Sequence, residues 1–245
     1  MPPREVVEAR RKIHDLVDDS NPVESPTAYY AFFHPADRST LFTYQNEAGQ
    51  TQGFVGRFQT GADLFRPLVT LKCTRASIAA DLLAKALIVG RPYILFANLN
   101  QLPLVGGSLR VENERILRIY TADPARFKSV MNVMVETKIT PDGLPRCVIN
   151  ANNAPMAVAG VNWKSPGFAE IYVHTEPQAR QRGWGRAVVS ALTEKLLKDG
   201  IRPVYLVENG NEPSRELIEG LGYFDTGSRH VYADTVYLGH PGSKE

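Results

Sequence analysis

The sequence predicts an α+β fold, a mixed and mostly antiparallel sheet flanked by helices. Three observations point there. Short alternating apolar runs recur between turn signals, the period of half-buried strands. Stretches of helical spacing interrupt them, and Gly90, Gly200 and Gly222 follow closely behind three of these. The same order of elements (hairpin, third strand, helix, strand) occurs twice along the 245 residues.

The first element is a helix over residues 4–18, where Val6, Val7, Ile13, Leu16 and Val17 stand among charges. Asp18-Asp19-Ser20-Asn21-Pro22 ends it, and a loop runs on to Pro26. Runs at 41–44, 53–58 and 67–71, with Asn46-Glu47-Ala48-Gly49 as turn chemistry, read as an antiparallel meander. Ile78, Leu82, Leu83, Ala86 and Leu87 restore helical spacing up to Gly90, and a strand follows at 93–96.

The second series opens with a strand at 115–120. Asp123-Pro124 has the form of an N-cap followed by proline at the first helical position. Phe127, Val130, Met131, Met134 and Val135 then predict the apolar face of a helix. Thr140-Pro141-Asp142-Gly143 is a turn, and strands are expected at 147–150, 156–161 and 169–173. From Trp184 to Asp199 a long helix places Trp184, Val188, Ala191, Leu192 and Leu196 on one face. A strand at 204–207 comes next, then a short helix capped by Asn211 and carrying Leu217, Ile218 and Leu221. A final strand, or pair of strands, covers 228–237.

The text itself echoes. Gly90-Arg91-Pro92-Tyr93-Ile94-Leu95-Phe96-Ala97-Asn98 resembles Gly200-Ile201-Arg202-Pro203-Val204-Tyr205-Leu206-Val207-Glu208-Asn209. A tandem duplication accounts for this, with domains at 1–114 and 115–245. The two halves differ at the entry to the main helix. Arg180-Gln181-Arg182-Gly183-Trp184-Gly185 precedes the second, whereas Lys72-Cys73-Thr74-Arg75-Ala76-Ser77 precedes the first without a glycine. The first half therefore reads as a degenerate copy, useful for packing or for walling a substrate cleft.

Composition narrows the function classes. A net charge of +2 with 22% charged residues excludes a strongly basic nucleic-acid domain and an acidic disordered chain. Cys73 and Cys147 have neither CxxC spacing nor a nearby His pair, so neither a metal site nor a disulfide framework is expected. No apolar run approaches the roughly 20 residues of a membrane span, and no h-region follows Met1-Pro2-Pro3. The expectation is a cytoplasmic protein with no metal, nucleic-acid or membrane partner. Nothing in the sequence sets its oligomeric state.

One segment carries chemistry. The first N–H groups of a helix lack intrahelical acceptors and sit at the positive end of its dipole. A phosphate placed there satisfies both. Gly183 and Gly185 present backbone without Cβ, and Arg180, Arg182 and Arg186 add charge, which makes a site for a polyanion such as a diphosphate. The spacing is neither a Walker loop nor the dinucleotide fingerprint. An ordinary helix entry remains an alternative at this level.

Arg180-x-x-Gly183-x-Gly185 resembles the (Gln/Arg)-x-x-Gly-x-(Gly/Ala) motif of the GCN5-related N-acetyltransferases, the GNAT superfamily. The similarity extends to Phe168-Ala169-Glu170-Ile171-Tyr172-Val173-His174-Thr175-Glu176-Pro177, which looks like that family's splayed fourth strand. Asn211-Glu212-Pro213-Ser214, Leu217 and Leu221-Gly222-Tyr223-Phe224 look like its closing segment. The match covers about 115–235, and the first half matches only in element order.

The resemblance implies acetyl-CoA as co-substrate and an amine as acceptor. The backbone of Gln181, Arg182, Gly183, Trp184, Gly185 and Arg186 would hold the diphosphate. Val173, His174 and Thr175 would pair with the pantetheine arm as an added strand. Asn211 and Ser214 match positions near the arm or the leaving sulfur. Glu170 is the expected base, since an alkylammonium of pKa about 10.4 must lose a proton before it attacks. His174 is a second candidate, acting through water. The tyrosine that family members often use as acid is replaced by Ile218, which leaves Ser214 to stabilise the thiolate or water to protonate it. Neither cysteine sits where an acyl-enzyme would form. Direct attack in a ternary complex is therefore expected. Transfer of a longer acyl chain, a peptide amine as acceptor, a non-catalytic acyl-CoA-binding module and a simple phosphate binder are the alternatives. Tyr29, Tyr30, Phe32, Phe33 and Phe54 either line a cleft or belong to a core.

Overall fold

The computed structural model describes residues 3–243; Met1 and Pro2 of the expected leaderless start, and Lys244 and Glu245 of the expected second domain, lie outside the described residues. The chain divides into two compact units, Met1–Leu117 with Ser228–Glu245, and Arg118–Gly227. The anticipated division at 114 assigned residues 228–245 to the second half. In the structure they fall with the first, because His230–Val236 of the last strand pair antiparallel with the strand Pro92–Asn98 of that unit.

The first unit runs α1 (Arg4–Lys12), α2 (Ser25–Ala28), a π-helical turn (Tyr29–Phe33), β1 (Ser39–Gln45), β2 (Thr51–Phe58), β3 (Leu68–Cys73), α3 (Ala76–Ala86), β4 (Pro92–Asn98) and α4 (Leu102–Val105). It closes with residues 109–117 of β5 (Leu109–Ala122) and 228–237 of the last strand, β11 (Tyr223–Tyr237). Its strand order is β1-β2-β3-β4-β11-β5. The meander β1-β2-β3 is antiparallel, β3 and β4 are parallel, and β4 and β11 are antiparallel. Helix α3 buries Ile78, Leu82, Leu83 and Ala86 against this sheet, the face the spacing predicts. It ends at Ala86, with Leu87 already extended, so Gly90 (φ 77°) shapes the following turn and is not its cap. Helix α1 stops at Lys12, earlier than expected, yet Ile13 and Val17 still reach a small core with Ala28, Ala31 and Phe54. The aromatic run belongs to that side too: the Tyr30 ring lies 5.3 Å from Phe58 and 5.8 Å from Phe96.

The second unit contains residues 118–122 of β5, β6 (Glu136–Ile139), β7 (Pro145–Ala151), β8 (Ala154–Lys164), β9 (Phe168–Thr175), α5 (Trp184–Lys198), β10 (Arg202–Glu208), α6 (Glu212–Glu219) and residues 223–227 of β11. Strand order is β11-β5-β10-β9-β8-β7-β6. From β6 to β9 neighbours are antiparallel, and β9 and β10 are parallel. Its core joins Val188, Leu192 and Leu196 of α5 to Ile149, Ile171 and Val207 of the sheet.

The helix expected after Asp123-Pro124 does not form. Residues 123–135 are turns and irregular chain. Tertiary partners take the backbone donors that a helix would have used internally. Lys128 N donates to Leu221 O (3.0 Å), and Val130 N donates to Ser190 Oγ on α5 (2.7 Å). The Asp123 carboxylate accepts from Ala125 N at 2.9 Å, a turn that competes with a helical start. Val130 and Val135 still pack on the core, while Met131 and Val133 are 92% and 96% exposed.

Candidate functional site

The site grows from a mismatch between two parallel strands. Among the described residues the β9–β10 ladder stops at Ile171 and Tyr205, although β9 runs on to Thr175 and β10 to Glu208. On its other side β9 stays paired, Val173 with Ala159 and Thr175 with Ala157 of β8. The last turn of β9 is therefore a strand with one unpaired edge, and that edge faces the opening.

Eight residues, 176–183, carry the chain from Thr175 to α5. A 3₁₀ turn at Pro177–Ala179 starts this link. Gln181 (φ 61°) and Gly183 (φ 73°) then both adopt left-handed backbone. Gly183 is the N-cap of α5 and supplies no side chain to cap it, so the first-turn N–H groups keep no intrahelical acceptor. A Cβ at Gly183 would meet nothing within 4 Å. The glycine is there for its φ, and the space in front of it is open.

Gly185 has a different reason. A Cβ there would stand 2.8 Å from Thr175 Oγ1 and 3.5 Å from Leu217 Cδ1. Its absence lets the first turn of α5 press against β9. Approach of a ligand to the helix end is set by Gly183 and the left-handed turn, and Gly185 fixes the distance from helix to strand.

Between these elements lies a cavity of about 760 Å³, inside the range of roughly 300–1,000 Å³ usual for ligand clefts. Val173, His174 and Thr175 line it from the strand. Arg180, Gln181, Gly183, Trp184, Gly185 and Arg186 line it from the loop and helix. Asn211 and Ser214 line it from α6. Two expected residues stay outside this lining: Arg182, whose guanidinium lies 5.3 Å from the Trp184 ring centroid, and Glu170.

The arginines are tethered rather than free. Arg180 Nε donates to Thr175 O at 3.4 Å, and an Arg186 guanidinium nitrogen donates to Gly220 O at 2.5 Å near the end of α6. Asn211 Oδ1 accepts from Ser214 N at 3.2 Å, which makes it the cap of α6. Exposed His174 pairs with Glu176 at 3.1 Å.

Glu170 lies on the paired part of β9, opposite Val204 of β10. By the alternation of the strand it shares a face with Tyr172 and His174. A bulge on β8 serves it: between Val161 and Trp163 the register slips by one, and Trp163 then pairs with Glu170. The Asn162 amide donates to Glu170 Oε1 at 2.8 Å, and the Trp163 side chain stands beside the same carboxylate. Burial pushes the Glu170 pKa above the ordinary carboxylate value, and these two neighbours oppose the shift. One residue beyond the Glu170 pairing, Tyr205 is buried, with Ser214 beside it. Burial raises its pKa, and the negative charge of Glu170 adds to that. Ile218, where a tyrosine acid was sought, is fully buried in the core.

Asn162, Trp163 and Tyr205 are the members that sequence reasoning passed over. A bulge leaves no periodic signature, and Tyr205 reads as one more apolar position in a strand. Among the described residues no helix is long and apolar enough to cross a membrane, and no three His, Cys, Asp or Glu side chains gather as a metal site would need.

Comparisons with known proteins agree with this architecture. Residues 152–232, from the end of β7 into β11, match the family model described as FR47-like protein. No curated protein matches the chain. Among solved structures, a Drosophila protein from a structural genomics programme is similar with a TM-score of 0.68 at 12% identity, covering 96% of this chain and 96% of that one. A GCN5-related N-acetyltransferase from Sphaerobacter thermophilus is similar with a TM-score of 0.60 at 9% identity, covering 98% of both chains. A tandem GNAT protein from the clavulanic acid biosynthesis pathway is similar with a TM-score of 0.59 at 13% identity, covering 98% of this chain and 95% of that one.

Proposed function

From a chain with the GNAT fold, we propose an acyl-CoA-dependent N-acyltransferase that moves an acetyl group from acetyl-CoA to a primary amine in a ternary complex. The observation that carries this is the unpaired end of β9 opening beside an uncapped helix N-terminus, with the left-handed Gln181 and Gly183 between them. On this reading the catalytic part is the unit that contains α5, and the first unit is the degenerate copy.

The residues present fit the cofactor. An unpaired strand edge suits an arm that carries amides, and an open helix end suits a diphosphate. The cofactor supplies an acyl group on a sulfur leaving group. Val173 and Thr175 align the arm through backbone, and the amides of 181–186 hold the phosphates with Arg180 and Arg186 at the rim. Glu170, its pKa lifted by burial, takes the proton of the attacking amine. Ser214, beside Tyr205, stands at the cavity wall and donates a hydrogen bond that stabilises the thiolate, which takes its proton from water. This pair fills the role left open by Ile218. A cytosolic setting suits two buried, unpaired cysteines.

Release of free thiol from acetyl-CoA over a panel of primary amines tests the proposal. Turnover with at least one amine supports it. Coenzyme A binding without release for every amine would indicate a binding module instead. A thermal shift separates both from a bare phosphate binder: acetyl-CoA at 100 times its Kd adds about 2.7 kcal/mol of stability.

A further inference from the structure

The first unit repeats the geometry of this cleft on a smaller scale. Among the described residues β3 and β4 are parallel and pair at Leu68 with Ile94 and Val69 with Leu95, after which β3 continues to Cys73 and β4 to Asn98. The positions correspond when counted from the last pair. Cys73 stands four residues beyond Val69, as Thr175 stands four beyond Ile171. Gln101 stands six beyond Leu95, as Asn211 stands six beyond Tyr205.

What fills the two openings differs. In the first unit Gln101 folds back between the strands and is 7% exposed. Its Oε1 accepts from the Cys73 amide at 2.7 Å, and its Nε2 donates to Asn100 Oδ1 at 2.9 Å. A carboxamide side chain thus supplies to the free edge of β3 the acceptor that an amide of a pantetheine arm would supply. The Lys72–Glu24 ion pair, at 2.5 Å, lines the space that remains, a hollow of about 60 Å³ against about 760 Å³ in the second unit. The helix entry is different as well. Only Thr74 and Arg75 separate Cys73 from α3, where eight residues separate Thr175 from α5. Two residues cannot wrap a diphosphate.

We infer that the first unit contains a second cofactor cleft, occupied by the chain's own Gln101, so that one chain takes one coenzyme A, in the second unit alone. The inference rests on the reading of the second unit's cleft as a coenzyme A site.

Isothermal titration of the full chain with coenzyme A tests it. The expected result is one equivalent per chain, and none for Gly183→Glu. Two equivalents per chain would overturn the inference while leaving the second unit's site intact. Absence of binding by the unmodified chain would sink the coenzyme A reading and this inference with it. A measurement without cofactor probes the plug itself. The Cys73 amide should exchange slowly with solvent, and Gln101→Ala should speed that exchange about tenfold or more, the scale of one lost buried hydrogen bond. An unchanged rate at Cys73 would show that Gln101 does not hold this edge.

Discussion

Gly185 and Thr175 are in such close register that a single methyl group on the glycine would come within 2.8 Å of the threonine hydroxyl oxygen. Gly185→Ala is therefore an overpacking change, expected to cost about 1–3 kcal/mol. Thr175→Ala in the same chain should recover much of that loss, because the two sites are coupled. Gly183→Ala meets open space and suffers only from its backbone, about 1–2 kcal/mol at φ 73°. Urea unfolding of the four variants checks the pattern; simple additivity of Gly185→Ala and Thr175→Ala would contradict it.

Glu170 links chemistry to stability. Its folded pKa is raised, so its contribution to stability is fully present below the unfolded value of about 4.3 and is lost as pH rises through the folded value. Glu170→Gln should accordingly gain melting temperature relative to the parent at pH 8, with the difference shrinking towards pH 4. The same variant should keep coenzyme A affinity and lose about 10²- to 10⁴-fold in kcat. A parent and variant with identical rates across pH would remove Glu170 as the base.

Tyr205 and Ser214 form one unit on this account. Tyr205→Phe removes the buried phenol that stands beside Ser214. We expect kcat to fall about tenfold or more with KM for acetyl-CoA little changed. A rise in KM at constant kcat would assign the pair to binding.

Acid should weaken the first unit through two histidines. Burial holds His230 down to about 3 and His34 down to about 4. His230 is 1% exposed, and among the described residues its Nδ1 has no hydrogen-bond partner. Both pKa values lie below the unfolded value of about 6.5, so the stability they contribute is present above that pH and is lost as pH falls towards 4 and 3. At pH 5 each histidine left neutral costs about 2 kcal/mol relative to neutral pH. Urea unfolding at pH 7 and pH 5 measures this, and replacing His230 by Phe should remove about half of the difference, leaving the share of His34.

Periodicity made much of the fold legible. The alternating runs became β1 to β4 and β7 to β10, and Ile78 and Leu82 or Val188 and Leu192 marked the buried faces of α3 and α5. β6 was hidden because all four of its residues are exposed and no alternation survives. The segment after Asp123 misled because its apolar spacing is helical, while its donors are claimed by Leu221 and Ser190, far away in sequence. At the site, the loop around Gly183 could be read from glycine and arginine alone. The bulge that aims Asn162 and Trp163 at Glu170 could not, since one inserted residue changes register without changing composition. Gln101 was equally silent: its role depends on how two strands diverge.

The most direct test of the central claim is a backbone amide NMR titration of the chain with coenzyme A. The account predicts that the largest shifts fall on Gln181, Gly183, Gly185 and Arg186, followed by Val173 and Thr175. Saturable binding that leaves those amides unmoved and shifts others would contradict it.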